Sequence, residues 1–190
     1  IMVNAAEYGA WAEDAAAFGW SLENHGNDWA KLAAARDAEV ARLSGIYGRL
    51  LGNAGVTCFD ARATFLDAHS LDVGGKRVTA ERIFIAVGGT ATRLDIPGAK
   101  LGLISDDIFT LKALPKRVAV LGAGYIAVEF ACILQGLGAE VTLVHRAPLP
   151  LRGFDEDIRS AAAEALVAQG ITCRAGVSPT RIELRGADRV

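Results

Sequence analysis

Residues 116–146, KRVAVLGAGYIAVEFACILQGLGAEVTLVHR, constrain this chain more than any other segment. An apolar run of strand length enters a glycine turn at Gly122 and Gly124 and leaves it as a helix-length apolar stretch that stops at Gly138. A second apolar strand follows at 140–145. The pattern G-x-G-x-x-A, formed by Gly122, Gly124 and Ala127, therefore sits where a strand turns into a helix, the context that gives the motif its meaning. Gly122 permits the tight turn, Gly124 has no Cβ to hold off a pyrophosphate, and Ala127 is small enough for the helix to lie close to the strand. The unpaired amides of that helix N-terminus then face the negative phosphates. These residues predict a Rossmann-type dinucleotide site.

The end of the second strand separates the two nicotinamide dinucleotides. An acid about twenty positions after the glycines binds the ribose 2′-hydroxyl of NAD, whereas an arginine accommodates the 2′-phosphate of NADP. Here the chain reads LVHRAPLPLR, and no Asp or Glu follows the strand until Asp155. Arg146 and Arg152 bracket a loop stiffened by Pro148 and Pro150, so two guanidinium groups can meet one phosphate. A charged hydrogen bond contributes about 1.5–3 kcal/mol, so each arginine favours NADPH over NADH by roughly ten- to hundredfold before solvent screening. His145 is read either as a surface residue or as a further phosphate contact.

Around this segment the pattern is α/β. Residues 4–18 are Ala-rich and free of Pro and predict a helix, and 19–27 read as a loop. Asn27 or Asp28 caps a second helix whose apolar stripe is Trp29, Leu32, Val40, Leu43, Tyr47 and Leu50, with one gap at Arg36; Gly52 and Gly55 mark its end. Short strands are predicted at 56–66, 70–73, 76–79 and 82–87, with Gly74-Gly75 as a hairpin turn and IFIAV buried on both faces. Residues 89–115 read as a connector. From 117 onward come a buried strand at 117–121, a helix at 122–137, the strand at 140–145, a helix capped by Asp155 and ended by Gly170, and strands at 171–174 and 180–185. That β-α-β-α-β order implies parallel strands. The expected fold is two α/β units, neither complete.

Composition excludes several classes. Apolar residues make up 52% and charged residues 22%, which is ordinary for a globular chain and unlike a disordered one. A net charge of −2 favours neither nucleic acid nor an anionic membrane as partner. The best apolar run, 125–134, is broken by Glu129, so no membrane span is expected. The start, IMVNAAEYGA, has no basic and then apolar signal, and its opening on Ile suggests a beginning inside a longer protein. Cys58, Cys132 and Cys173 make no C-x-x-C or metal pair and read as three buried thiols in a reducing cytosol; no metal site is expected.

GAGYIAVEF followed by HRAPLPLRGFDEDIR closely resembles the glutathione reductases, within the flavin-containing pyridine nucleotide–disulfide oxidoreductases. DWAKLAAARDAEVARLSGIY, GGKRVTAERIFIAVGG, IPGAKLGLISDDIF and LPKRVAVLGAGYIAVE extend the resemblance across nearly the whole chain. It implies parts of two Rossmann-like FAD/NAD(P)-binding domains, three-layer with parallel sheets: residues 1–89 as the rear of the FAD-binding domain and 90–190 as the front of the NADPH-binding domain, with the Rossmann unit from 117. Tyr125 resembles the tyrosine that covers the flavin and moves aside for NADPH, and Glu129 the acid that meets the nicotinamide end and pairs with a lysine. Ile126 joins the NADPH contacts between them. Ala63, Ala86, Gly88 and Ser105 match positions against FAD, and Tyr47 matches a tyrosine at the glutathione site, while as a residue of the apolar stripe it also reads as core.

Several departures limit what the resemblance implies: the lysine that would partner Glu129, the first FAD-binding G-x-G-x-x-G and the C-terminal His–Glu pair are outside this sequence. Val87 replaces the threonine of an A-T-G turn, and the redox-active C-x4-C is absent. The expected activity is an NADPH-dependent glutathione-disulfide reductase, homodimeric and cytoplasmic, with electrons passing from NADPH to FAD, then to a disulfide, then to oxidised glutathione. Trypanothione and mercuric reductases are alternatives, and lipoamide dehydrogenase is disfavoured because it uses NAD. The isolated chain, without the dithiol, is expected to be inactive or a passive NADPH-binding module.

Overall fold

A computed structural model describes residues 1–23, 26–186 and 188–189, with the side chains of 188 and 189 left aside. The chain forms two compact units, residues 1–37 with 91–190, and residues 38–90.

In the larger unit the parallel order expected from the sequence is present. Strands β4 (Arg117–Leu121), β5 (Glu140–His145) and β6 (Thr172–Ala175) pair in that order, both pairs parallel. Helix α4 (Tyr125–Gly136) links the first two strands and α5 (Glu156–Ala168) links the second pair. Ala131 and Leu134 of α4, Val141 and Leu143 of β5, Leu166 of α5 and Ile171 form one buried cluster, with Val118 and Val120 packed against it. Leu134, Val141 and Leu143 are its largest fully buried side chains, and each such burial contributes roughly 1.5–3 kcal/mol. The strand at 117–121 is less buried than its apolar run suggests. Only Val118 and Val120 turn towards the core, and Arg117, Ala119 and Leu121 are exposed. As the edge strand of the sheet it shows the two-residue alternation of a half-covered strand.

Helix α1 (Met2–Asp14), continued by a 3₁₀ turn at Ala15–Phe18, lies against α4. The crossing is close: a Cβ added at Gly136 would sit 2.8 Å from the Ala6 Cβ. The predicted loop at 19–27 has no helix or strand among its described residues, and positions 24 and 25 lie outside them. Helix α2 (Trp29–Asn53) is capped by Asp28, whose Oδ1 accepts from the Lys31 backbone N–H at 3.0 Å. Its stripe is buried only at the start. Trp29 is 5% exposed and donates through Nε1 to Leu111 O at 2.7 Å. The apparent gap at Arg36 is filled by Arg36 itself, 7% exposed, which donates to Phe109 O at 2.7 Å and stacks over the Phe109 ring. Its aliphatic stem covers apolar surface while Nε and Nη2 of its head also donate to Asp37 Oδ1 at 2.9 and 2.7 Å. Val40, Leu43, Tyr47 and Leu50 are exposed, so Tyr47 is not a core residue.

The smaller unit holds an antiparallel meander: β1 (Ala63–Asp67), β2 (Ser70–Val73) and β3 (Lys76–Thr79). Val73 pairs with Lys76 across Gly74 and Gly75, at φ +60° and +86°, as a two-residue turn with both central residues left-handed requires. Here the strand expected at 56–66 is shortened to β1 and the one expected at 82–87 is absent. Residues 56–62 are irregular, and so are 82–87, where Phe84 is 92% and Val87 89% exposed. A strand exists by pairing its N–H and C=O groups, and no described strand lies beside IFIAV. The connector at 89–115 is mostly irregular, with a 3₁₀ turn at Ala99–Leu101 and a short helix α3 (Ser105–Ile108). At the end of the chain, 180–185 shortens to β7 (Leu184–Arg185), paired with β8 (Asp188–Arg189). The cysteines are also less uniform than expected. Cys132 and Cys173 are half-buried against the core, while Cys58 is exposed.

Candidate functional site

The site is built where β4 and β5 end. Past Leu121 the backbone turns through Gly122 at φ +116°, a conformation closed to most L-residues. The Gly122 N–H donates to Val144 O at 2.9 Å, which joins the turn to the neighbouring strand. Gly124 then acts as N-cap of α4 in ordinary extended geometry, φ −72° and ψ 171°. The first backbone bond of the helix runs from the Val128 N–H to Gly124 O, so the N–H groups of Tyr125, Ile126 and Ala127 have no acceptor among the described residues. No side chain caps this helix, and no acid lies in its first turn. Helix α5 differs: Asp155 Oδ1 accepts from the N–H groups of Asp157 and Ile158 at 3.0 and 3.4 Å. One helix carries its own anion, and the other presents bare donors and a positive dipole end.

Gly124 supplies the test of fit for a dinucleotide. Its φ does not require glycine, and a Cβ built there would meet nothing within 4 Å. Nothing among the described residues calls for glycine at this position. A ligand approaching the bare amides does, and a pyrophosphate has the charge and acceptors to meet them.

The loop after β5 is stitched to this turn. The Leu151 N–H donates to Ala123 O, between the two glycines, at 2.7 Å. Leu151 itself has φ +54°, the one positive value at a described non-glycine residue, a conformation that costs roughly 1–2 kcal/mol. Its carbonyl accepts from the Phe154 N–H at 3.0 Å. Arg152 therefore emerges from a backbone fixed on both sides and tied to the glycine turn, and Arg146 leaves the end of β5 two residues after Val144. Both arginines are exposed, and neither makes an ion pair or side-chain hydrogen bond among the described residues. His145 is not a surface residue. It is 7% exposed, with Nδ1 2.7 Å from Ala147 O, so that nitrogen carries a proton and donates within its own loop.

Tyr125 and Glu129 share one face of α4, and both are exposed. The carboxylate incurs no burial penalty, although its neighbours in sequence are apolar. Gly122, Gly124, Tyr125, Ile126, Ala127, Glu129, Arg146 and Arg152 thus all belong to the larger unit, around one strand-to-helix turn. The other predicted positions are dispersed. Ala63 opens β1, while Ala86 and Gly88 lie in the irregular stretch of the smaller unit. Ser105 starts α3 in the larger unit, half-buried. Tyr47 is 65% exposed on α2. An open cavity of about 390 Å³ at Arg93–Lys100 contains none of these residues. Among the described residues no three His, Cys, Asp or Glu side chains gather as a metal site, and no helix is long and apolar enough to cross a membrane.

Sequence reasoning passed over Arg159. From α5 its Nε donates to Pro150 O at 2.8 Å, and its Nη2 to Leu149 O at 3.2 Å. The i,i+3 spacing of Glu156 and Arg159 was the signal available; their ion pair is 2.9 Å long. The two carbonyls belong to a loop whose course the sequence did not show.

The family model of the pyridine nucleotide-disulphide oxidoreductases matches residues 3–189. Glutathione reductase of Burkholderia cepacia is 43% identical over 188 residues, covering 98% of this chain and 42% of that protein. The Nostoc enzyme of the same name is 42% identical over 171 residues, covering 90% of this chain and 37% of its own. Thioredoxin reductase 2, mitochondrial, of Drosophila melanogaster is 33% identical over 199 residues and is covered over 38% of its length. This chain thus spans well under half of each of these relatives. Among solved structures, the HOCl-induced flavoprotein disulfide reductase RclA from Escherichia coli, as its Cu(II) complex, superposes with a TM-score of 0.82 at 26% identity, over 99% of this chain and 40% of that one. A parallel Rossmann unit, a bare helix N-terminus behind Gly122 and Gly124, and these matches along almost its whole length make the chain a member of the pyridine nucleotide-disulphide oxidoreductase family.

Proposed function

We propose that this chain is the electron-input part of an NADPH-dependent flavoprotein that reduces oxidised glutathione. The observation that carries the reading is the bond from the Leu151 N–H to Ala123 O, which ties the arginine loop to the phosphate turn. A nucleotide with its pyrophosphate on the bare amides of α4 would have its adenosine end beside β5, where Arg146 and Arg152 can take a 2′-phosphate and no acid takes its place. Bound there, the nicotinamide supplies a hydride. Tyr125, which makes no side-chain hydrogen bond among the described residues, can swing aside, and Glu129 on the same face is placed for a lysine partner.

In this reading residues 1–89 belong to the FAD-binding domain and 90–190 to the NADPH-binding domain. Ala63, Ala86, Gly88 and Ser105 lie against FAD, Tyr47 lies at the glutathione site, and the whole protein is a cytoplasmic homodimer. Identities of 43% and 42% to glutathione reductases, against 33% to a thioredoxin reductase, favour glutathione as the disulfide. The chain holds no C-x4-C pair and by itself reduces no disulfide.

Nucleotide titration tests the cofactor. Arg146→Ala with Arg152→Ala should weaken NADPH binding by at least about tenfold while NADH binding stays near its original value. Equal losses for both nucleotides would mean that the arginines do not face the 2′-phosphate.

A further inference from the structure

We propose that Arg159 is a positioning residue for cofactor selection: by holding the carbonyls of Leu149 and Pro150 it fixes the strained turn at Leu151 and so aims Arg152 at the 2′-phosphate. This rests on the NADPH reading above and adds the residue that enforces it.

Arg159 is not itself a phosphate ligand. Its side chain is only 16% exposed, and all three guanidinium nitrogens are used: Nε on Pro150 O at 2.8 Å, Nη2 on Leu149 O at 3.2 Å and Nη1 on Glu156 Oε2 at 2.9 Å. The two carbonyls immediately precede Leu151, whose backbone sits at φ +54°. A leucine leaves that region unless its surroundings over-determine it. Three ties do so here: the Arg159 fork before it, the Leu151 N–H on Ala123 O at 2.7 Å, and the Phe154 N–H on Leu151 O at 3.0 Å. Arg152 is the next residue. Its backbone is fixed, and its exposed guanidinium has no partner among the described residues. Pre-organised placement of a group that meets the ligand raises affinity because less freedom is lost on binding. A lysine at 159 could not serve both carbonyls and Glu156 with the same planar fork.

The test is calorimetric titration of the 190-residue chain with 2′,5′-ADP and with 5′-ADP. Arg159→Met should lower affinity for 2′,5′-ADP by about tenfold, leave 5′-ADP unchanged, and be partly rescued by Arg159→Lys. Leu151→Gly is the companion variant, since glycine accepts the positive φ without strain and does not threaten folding. It keeps the Arg159 fork and both backbone bonds and should retain the preference for the 2′-phosphate and its melting temperature; losing the preference would show that the ties do not fix the turn. Equal loss of both ligands in Arg159→Met would make Arg159 merely structural and overturn the proposal. So would an unchanged ligand ratio in Arg159→Lys, which cannot hold both carbonyls with one planar fork, even if Arg159→Met failed to fold. If Arg152→Ala abolishes the preference while the Arg159 variants keep it, the positioning role falls and the NADPH reading stands. A wild-type chain without preference for 2′,5′-ADP overturns both.

Discussion

Gly124 and Leu151 stand a few ångströms of backbone from the same carbonyl and break local rules in opposite ways. Gly124 is a glycine where the chain has room and dihedrals for a side chain, and Leu151 is a leucine where the dihedrals favour glycine. Deviations of this kind gather at functional sites, because the surroundings hold a residue in a shape that its own preferences oppose. The cysteines show how burial sets chemistry at the same scale. Burial pushes the Cys132 and Cys173 thiols up, whereas Cys58 is exposed. A raised pKa means less thiolate at a given pH, and thiolate is the nucleophile. Cys58 should therefore react with a disulfide reagent at pH 8 roughly tenfold faster or more than the other two. Three equal rates in a mass-resolved time course would contradict the packing described for α4 and β6.

At the scale of elements, the two Rossmann helices begin differently. Asp155 caps α5 with its carboxylate, so that terminus is satisfied within the chain. Asp155→Ala should cost about 1 kcal/mol in urea unfolding, and Asp155→Ser should restore most of it. An unchanged midpoint for the alanine variant would show that the cap contributes nothing. Helix α4 has no side-chain cap, so its N-terminus and not that of α5 is left with bare donors. The strands follow a related logic. RVAVL forms the strand the sequence predicts because β5 pairs with it, whereas IFIAV, equally apolar, finds no partner among the described residues.

Across the whole molecule, burial is very uneven. The cluster around Leu134 and Leu143, and a second one of Met2, Trp29, Ile133 and Leu137, lie in residues 1–37 and 91–190. In 38–90 only Ser70 and Val73 are buried among the described residues, while Phe84, Ile85 and Val87 stand 92%, 64% and 89% exposed. Local stability follows buried apolar contact. Hydrogen exchange should therefore find slow amides in β4, β5 and α4, and amides close to random-coil rates at 82–90. Protection of 82–90 equal to that of β5 would mean that those residues find partners in solution that this structure does not show.

Short-range chemistry explains how much was legible beforehand. The glycine turn, the strand at 140–145, the Asp155 cap and the Gly74-Gly75 hairpin depend on a few neighbouring residues, and the sequence alone determined them. It also determined the arginine pair and the absence of an acid, because both follow from which residues end one strand. Burial was different. That Arg36 and His145 are covered, that Val40, Leu43, Tyr47 and Leu50 are not, and that 82–87 is no strand depend on what lies beside them in space rather than in sequence. The hold of Arg159 on Leu149 and Pro150 is of the same kind. Periodicity reports which face of an element is apolar, and only tertiary structure decides whether anything covers it.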